Sequence, residues 1–430
     1  MSTSKSAFLC SGTALVLALM PAAAATVYAQ DAQEFIVQFR EGTPAATRRA
    51  AAANAGAAVR IVYNGVAAAS VRVPNEQALS GLRGNPDVMS IVPNRAMSVH
   101  QSAKGKPGGS GGGTASTQVM PAGVTRVGVP VASSSDGAGI GVAILDTGVD
   151  LAHQDLGGTL NAFSAFGPSC QDDAGHGTHV AGIVGARNNT VDVVGVAPAA
   201  TLFCVKVLDQ AGNGSDETVM AGLDWVLRSH ASVTPKIRVI NMSLGRPGTV
   251  DDNPALRDLI AALDTAGVLV VVSAGNDAST DVAEQIPAAY SQVVSVASTT
   301  ATSGTNQCRQ LASPIAADTA SYFTTDGTNV TVSAPGEDKE DVSRGCFINS
   351  VGILSTRLGG GMTRMSGTSM AAPHVAGIAA RLFQQHPLDK PADLRIRIAV
   401  EAARQGIAPL NSPTNVYTFD GVREGVAVAP

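Results

Sequence analysis

The chain has 430 residues, of which 45% are hydrophobic and 15% charged, and its net charge is −5. That is enough apolar material for one large domain and a smaller one. It excludes a basic face of the kind that binds nucleic acid or anionic lipid, so a globular monomer with no nucleic-acid partner is expected.

The first residues read as an address. Lys5 supplies a positive charge, residues 7–20 form an apolar run, and small residues follow up to Ala29. This is the pattern of a secretory signal peptide over residues 1–29, cut near Ala29 or after Ala25. The run is too short to span a bilayer and no later stretch is longer and uncharged, so no stable membrane span is expected. The product should be secreted, to the extracellular space or a periplasm. Losing Cys10 with the signal leaves Cys170, Cys204, Cys308 and Cys346, an even number that suits an oxidising compartment. Three pairings are open; the local one, Cys170 with Cys204 and Cys308 with Cys346, is preferred. No pair has the CxxC spacing of a zinc site.

Residues 30–100 form a first, small domain. EFIVQFR (34–40) alternates as a strand, AATRRAAAANAG (45–56) is helix-forming, GVAAASVRV (65–73) is a second strand, NEQALSGLRG (75–84) a short helix and DVMSIVPN (87–94) a last strand. The layout is that of a ferredoxin-like, split βαβ α+β unit. Residues 101–116 are a Gly/Ser-rich linker without apolar periodicity.

From residue 117 to 430 the rhythm is that of an α/β domain. Continuous apolar runs at 141–146, 200–209, 238–245, 268–276 and 293–298 predict strands buried on both faces of a mostly parallel sheet. Helices are predicted between them at 177–187, 217–229 and 253–266, and another through SMAAPHVAGIAARLFQQH from Ser369. Open α/β sheets place their sites beyond the carboxyl ends of the strands, where Asp146, Ser243-Leu244-Gly245 and Asn276 fall.

A serine hydroxyl needs a base, a group to orient that base, and donors for the oxyanion before it can attack a carbonyl. Ser369 opens a helix in MSGTSMAAPHVAG, where unpaired N–H groups favour negative charge. Pro373 is expected near the first turn, where a missing N–H is least disruptive. Gly367 would let substrate backbone come close. His176 in DDAGHGTHVAG is the base candidate, with a ring left accessible by two glycines; His179, one turn on, reads as structural. The HxxH spacing does not match the metalloprotease helix, which needs histidines four apart with a glutamate between them. Asp146 in AILDTGVD can hold the imidazole in the required tautomer. Asp-Thr-Gly also suggests an aspartic protease, but that chemistry needs two carboxylates and no second such triplet occurs. Asp150 reads as structural, and Asn276 as an oxyanion donor. Substrate backbone is expected to add as a strand between Ser243-Leu244-Gly245 and Gly212-Asn213-Gly214, near Gly275, with broad selectivity. Asp277 would line the pocket for the residue before the scissile bond.

In order and spacing, ILDTGV, GHGTHVAG, INMSLG, SAGN and GTSMAAPHVAG make the chain from about residue 118 resemble the subtilisin-like serine proteases. The resemblance implies a three-layer α/β fold with a mostly parallel central sheet. It also implies a serine endopeptidase acting on polypeptides, with Ser369 as nucleophile, His176 as base, Asp146 as orienting acid and Asn276 in the oxyanion hole. The small domain resembles the family's inhibitory prodomain, an intramolecular inhibitor of a self-processed zymogen. A structural Ca2+ is implied too, held by Gln118, Asp155 and Asn189 side chains and the carbonyls of Arg187, Val191 and Val193. Two residues depart from the family there: Arg187 brings a positive side chain, and Asp192 stands where glycine is frequent, with charges that could offset each other.

Overall fold

A computed structural model describes residues 33–100, 117–129, 133, 135–413 and 418–430. The expected signal peptide and linker lie outside the described residues. Among the described residues no helix is long and apolar enough to cross a membrane.

The small module runs β1 (Gln33–Phe39), α1 (Ala45–Asn54), β2 (Ala58–Tyr63), β3 (Ala68–Val73), α2 (Glu76–Arg83) and β4 (Val88–Pro93). Its antiparallel sheet has the order β2-β3-β1-β4. The period of two in β1 sends Phe35, Val37 and Phe39 onto the helices with Ala51, Leu79 and Leu82, while Ile36 packs into the neighbouring domain's core. Asn75 caps α2 by accepting from the Ala78 N–H. Strand β2 is absent from the sequence reading because a register shift between Val59 and Ile61 breaks its alternation.

The rest of the chain continues with β5 (Ala96–Val99), α3 (Ala122–Arg126), β6 (Gly141–Asp146), β7 (Leu160–Ser164), α4 (His176–Gly185), β8 (Thr201–Lys206), β9 (Asn213–Ser215), α5 (Asp216–Ser229), β10 (Ile237–Met242), β11 (Leu244–Pro247), α6 (Pro254–Thr265) and β12 (Leu269–Ser273). It ends with β13 (Gln285–Ile286), β14 (Val293–Thr300), β15 (Val332–Val342), β16 (Ile348–Thr356), β17 (Met362–Met365), α7 (Thr368–Gln385) and α8 (Pro391–Arg404). The central sheet has the order β17-β16-β15-β14-β12-β10-β6-β8-β7. It is parallel from β7 to β15 and antiparallel at β15-β16-β17.

Alternation along each strand makes the three layers. Val142 and Ile144 of β6 pack with Val180 of α4 and Val375 and Ile378 of α7, whereas Ala143 and Leu145 pack with Val219 and Leu223 of α5 and Leu256 and Ile260 of α6. Because both faces are covered, these strands read as continuous apolar runs. The β15–β16 hairpin breaks that rule: its stretch EDKEDVSRGC is polar and it pairs antiparallel, so the apolar-run criterion missed it. Both preferred disulfides are present, and Cys308 to Cys346 ties this hairpin to the loop after β14.

The small module sits on α5 and α6. The Arg60 guanidinium donates to both carboxylate oxygens of Glu217 at 3.1 and 2.9 Å, and Asp224 Oδ1 accepts from the Asn64 and Gly65 N–H groups. The first amides of α5, which lack intrahelical acceptors, are also served by the module: Asp216 N–H donates to the Arg95 carbonyl and Glu217 N–H to Asn94 Oδ1.

Candidate active site

Strand β6 ends on Asp146, whose carboxylate is fully buried. Its Oδ1 accepts from the Thr147 N–H at 2.7 Å and lies 2.7 Å from Nδ1 of His176, the first residue of α4. A carboxylate can only accept, so Nδ1 carries the proton and Nε2 keeps its lone pair for base chemistry. The ring is not accessible as expected from its flanking glycines: it is buried, and Nε2 has no hydrogen-bond partner. His179 is buried on Ile353, with Nε2 3.0 Å from that carbonyl, and Asp150 accepts from the Ala152 and Gly359 N–H groups, so both are structural.

Ser369 is the second residue of α7. Its Oγ lies 2.9 Å from the carbonyl oxygen of His100 and 3.1 Å from that of Ser243. Pro373 lies beyond the first turn rather than in it. Having no N–H, it leaves the Ser369 carbonyl without a helical donor, and the Ser243 hydroxyl donates to that carbonyl instead, at 2.8 Å. The Asn276 Oδ1 accepts from the Thr368 N–H and hydroxyl at 2.9 and 2.8 Å. That fixes the amide so that its Nδ2 donates to the His100 carbonyl. At Gly367, with φ 145°, a Cβ would stand 2.9 Å from Asn276 Nδ2 and 3.0 Å from the His100 oxygen, so only glycine leaves room for that carbonyl.

The two segments expected to flank a substrate lie on either side of the chain's own β5. Ala96, Met97 and Ser98 pair antiparallel with Ser215, Gly214 and Asn213, and Ser98 and Val99 with Gly245 and Leu244. The Val99 N–H donates to the Gly212 carbonyl at 3.0 Å. Gly275 supports the site through Thr368, its N–H donating to that hydroxyl at 3.3 Å. The His100 ring is enclosed, with Nδ1 2.8 Å from Ser273 Oγ; burial, with His176 adding to it, pushes the imidazole down to about 4. Beside it opens a cleft of about 530 Å³ lined by Val99, Thr249, Asn276, Asp277 and Gln285. Asp277 is held there by the Ser279 N–H and hydroxyl, which keep its carboxyl below the usual range.

Sequence reasoning ended the small domain at His100 without giving that residue a place in the site, and it passed over Ser273. The signal for β5 was the short alternation in AMSVH just before the Gly-rich run; Ser273 lies inside VLVVVSAGN.

Away from this cleft, all six expected calcium ligands meet. The Gln118 amide nitrogen lies 2.7 Å from the Arg187 carbonyl, 3.3 Å from Asn189 Oδ1, 3.4 Å from the Val191 carbonyl and 3.0 Å from the Val193 carbonyl. The Asp155 carboxylate accepts from Asn189 Nδ2 and the Val193 N–H at 2.8 and 3.0 Å. Four acceptors around one amide with two hydrogens exceed what it can serve. Gln118 thus presents its nitrogen where its oxygen was expected; with the amide rotated, the set is all oxygen beside a carboxylate and fits a hard cation such as Ca2+. Arg187 and Asp192 do not offset each other: the guanidinium turns away to the Gly157 carbonyl, and Asp192 Oδ1 is buried without a partner. Asp192 has φ 47°, the left-handed conformation that favours glycine there.

Residues 137–416 match the subtilase family. The chain is 31% identical over 385 residues to subtilisin E of Bacillus subtilis (strain 168), covering 87% of this chain and 86% of that one. It is 37% identical over 278 residues to the minor extracellular protease Epr of the same organism, covering 64% and 36%. Among solved structures, a cold adapted subtilisin-like serine proteinase superposes with a TM-score of 0.55 at 27% identity, over 72% of this chain and 98% of that one. Fervidolysin from Fervidobacterium pennivorans shares the fold with a TM-score of 0.67 at 22% identity, over 92% and 60%.

Proposed function

The chain belongs to the subtilase family and is a serine endopeptidase, and we propose that it is made as a secreted, self-inhibited zymogen that cuts itself after His100. One observation carries this: the His100 carbonyl oxygen lies between Ser369 Oγ and Asn276 Nδ2 while β5 fills the substrate edges. The peptide bond to Gln101 is then the first substrate. Residues 1–29 are the signal peptide, 30–100 the inhibitory prodomain, 101–116 the linker and 117–430 the peptidase domain.

In the reaction, the Ser369 hydroxyl turns from the His100 and Ser243 carbonyls to the free Nε2 of His176, and Oγ attacks the His100 carbonyl carbon as its proton passes to that nitrogen. The negative charge on the carbonyl oxygen is met by Asn276 Nδ2 and the Ser369 N–H at the head of α7. Asp146, bonded to Nδ1, stabilises the imidazolium without taking its proton. Collapse breaks the carbon–nitrogen bond, and Nε2 returns the proton to the leaving amine of Gln101. A water then attacks the acyl-enzyme and gives its proton to His176; the bond from the acyl carbon to Ser369 Oγ breaks, Oγ takes that proton back from Nε2, and the His100 carboxylate is freed. The cut prodomain stays paired between β9 and β11 and blocks the site until it is removed. A second cut within 101–116 would trim the linker. Polypeptide substrates later bind as β5 does, through backbone. Ca2+ held by Gln118, Asp155, Arg187, Asn189, Val191 and Val193 would tie the start of the peptidase domain to the loop after α4; it supplies stability and no step of the reaction.

The test is the purified Ser369→Ala chain. It should remain uncleaved between His100 and Gln101 while the unaltered chain yields a fragment ending at His100. Cleavage of the variant at that bond, with no other protease present, would overturn the assignment.

A further inference from the structure

The pocket that receives the residue before the scissile bond has a polar floor. Ser273 closes β12 and is fully buried, and its hydroxyl lies 2.8 Å from Nδ1 of the His100 ring. The opposite side is tight. A Cβ added to Gly245 would fall 2.7 Å from both Cε1 and Nε2 of that ring, so a flat side chain fits where a broader one is crowded. The ring's Nε2 is buried without a partner, so Nδ1 alone gains a bond here and a second proton on the ring would be left unpaired. The carboxylate of Asp277 stands at the neighbouring cleft, already bonded to Ser279, and does not reach the floor.

We propose that Ser273 sets the primary specificity of this protease, selecting neutral histidine before the scissile bond through the contact between its hydroxyl and the ring Nδ1. The inference rests on the proposed cut after His100 and extends it to other polypeptides: an apolar residue of similar size would leave a buried hydroxyl without a partner, so sites after histidine should be cut faster than sites after leucine. A long cationic side chain would lose its water against a floor with no carboxylate.

The mature enzyme is assayed on peptides identical except for His, Leu, Phe or Lys at that position. The expected result is a kcat/KM for His roughly tenfold above Leu, the worth of one buried hydrogen bond. Ser273→Ala should abolish the preference from both sides, lowering His because Nδ1 loses its partner and raising Leu because no hydroxyl is left unpaired, so that the two come within about twofold of each other. The full chain gives a second readout that needs no isolated mature enzyme. There, His100→Leu should slow self-cleavage by a similar factor when Ser273 is present and not when it is alanine. A wild-type preference for Leu or Phe, or equal slowing in both backgrounds, overturns the inference while leaving the protease assignment standing. Loss of all cleavage by the wild-type chain, with no labelling by a serine-directed probe, would overturn both.

Discussion

The buried acids of β15 make a stability prediction with a definite sign. Glu337 and Glu340 are fully enclosed. Glu340 Oε1 accepts from the Tyr322 N–H at 3.0 Å, and its Oε2 has no partner. Burial pushes the Glu340 carboxyl up to about 7, with the Tyr322 bond opposing, and holds Glu337 well above the ordinary range. A folded value raised above the unfolded one gives stability that is complete below the ordinary 4.5 and is lost as pH rises through about 7. At 1.36 kcal/mol per pH unit, that gap is about 3 kcal/mol for Glu340. Glu340→Gln keeps an oxygen for Tyr322 and removes the titration. In the Ser369→Ala background, which prevents self-digestion, urea unfolding of the chain with and without Glu340→Gln should diverge with pH. The Glu340→Gln chain should gain about 3 kcal/mol relative to its parent between about pH 4.5 and 8. Buried histidines such as His179, which burial lowers to about 3, pull the opposite way below neutrality but cancel in the difference. A difference between the two chains that is constant with pH would refute the buried-neutral account of Glu340.

Asn276→Ala should lower kcat about 10²–10³-fold with little change in KM, because its donor meets the carbonyl oxygen most strongly once charge develops there. That figure is the one known for the equivalent donor in subtilisin, a relative, and is carried over rather than worked from these distances; equal loss in KM and kcat in steady-state assays would mean a structural asparagine. Chelation should lower the melting temperature of the mature enzyme, since a ligand that binds only the folded state stabilises it by mass action. Asp155→Ala should give the same decrease and add nothing once chelator is present. Melting indifferent to both chelator and added calcium would refute the cation site.

What could be read in the sequence follows from how each part is held. Strands β6, β8, β10, β12 and β14 were legible because helices cover both their faces and exclude polar side chains. The polar β15–β16 hairpin was not, because its pairing is held by backbone bonds, and its turn by the disulfide to Cys308 in the loop after β14, rather than by a two-sided apolar face. Asp146, His176, Asn276 and Ser369 were legible for the same reason as the strands: each sits at or just past the end of an element whose pattern is strong, so local sequence places it. His100 differs in kind. Nothing local to AMSVH states that it will pair with β9 and β11, which lie far later in the chain; that pairing arises only when Asn94 and Arg95 meet the amides of α5 and Arg60 meets Glu217. The contacts that seat the small module therefore also set the register of β5, and register decides which carbonyl reaches Ser369. A slip of one residue would turn Val99 or Gln101 toward the nucleophile and invert every side chain along the strand. Met97, buried at the midpoint of β5, opposes such a slip because its side chain would be turned out to solvent. On the proposed cut after His100, the bond offered to Ser369 is chosen by the module's seating on α5, well away from Asp146 and His176, and on the role proposed for Ser273 the pocket then reads whichever side chain that seating delivers.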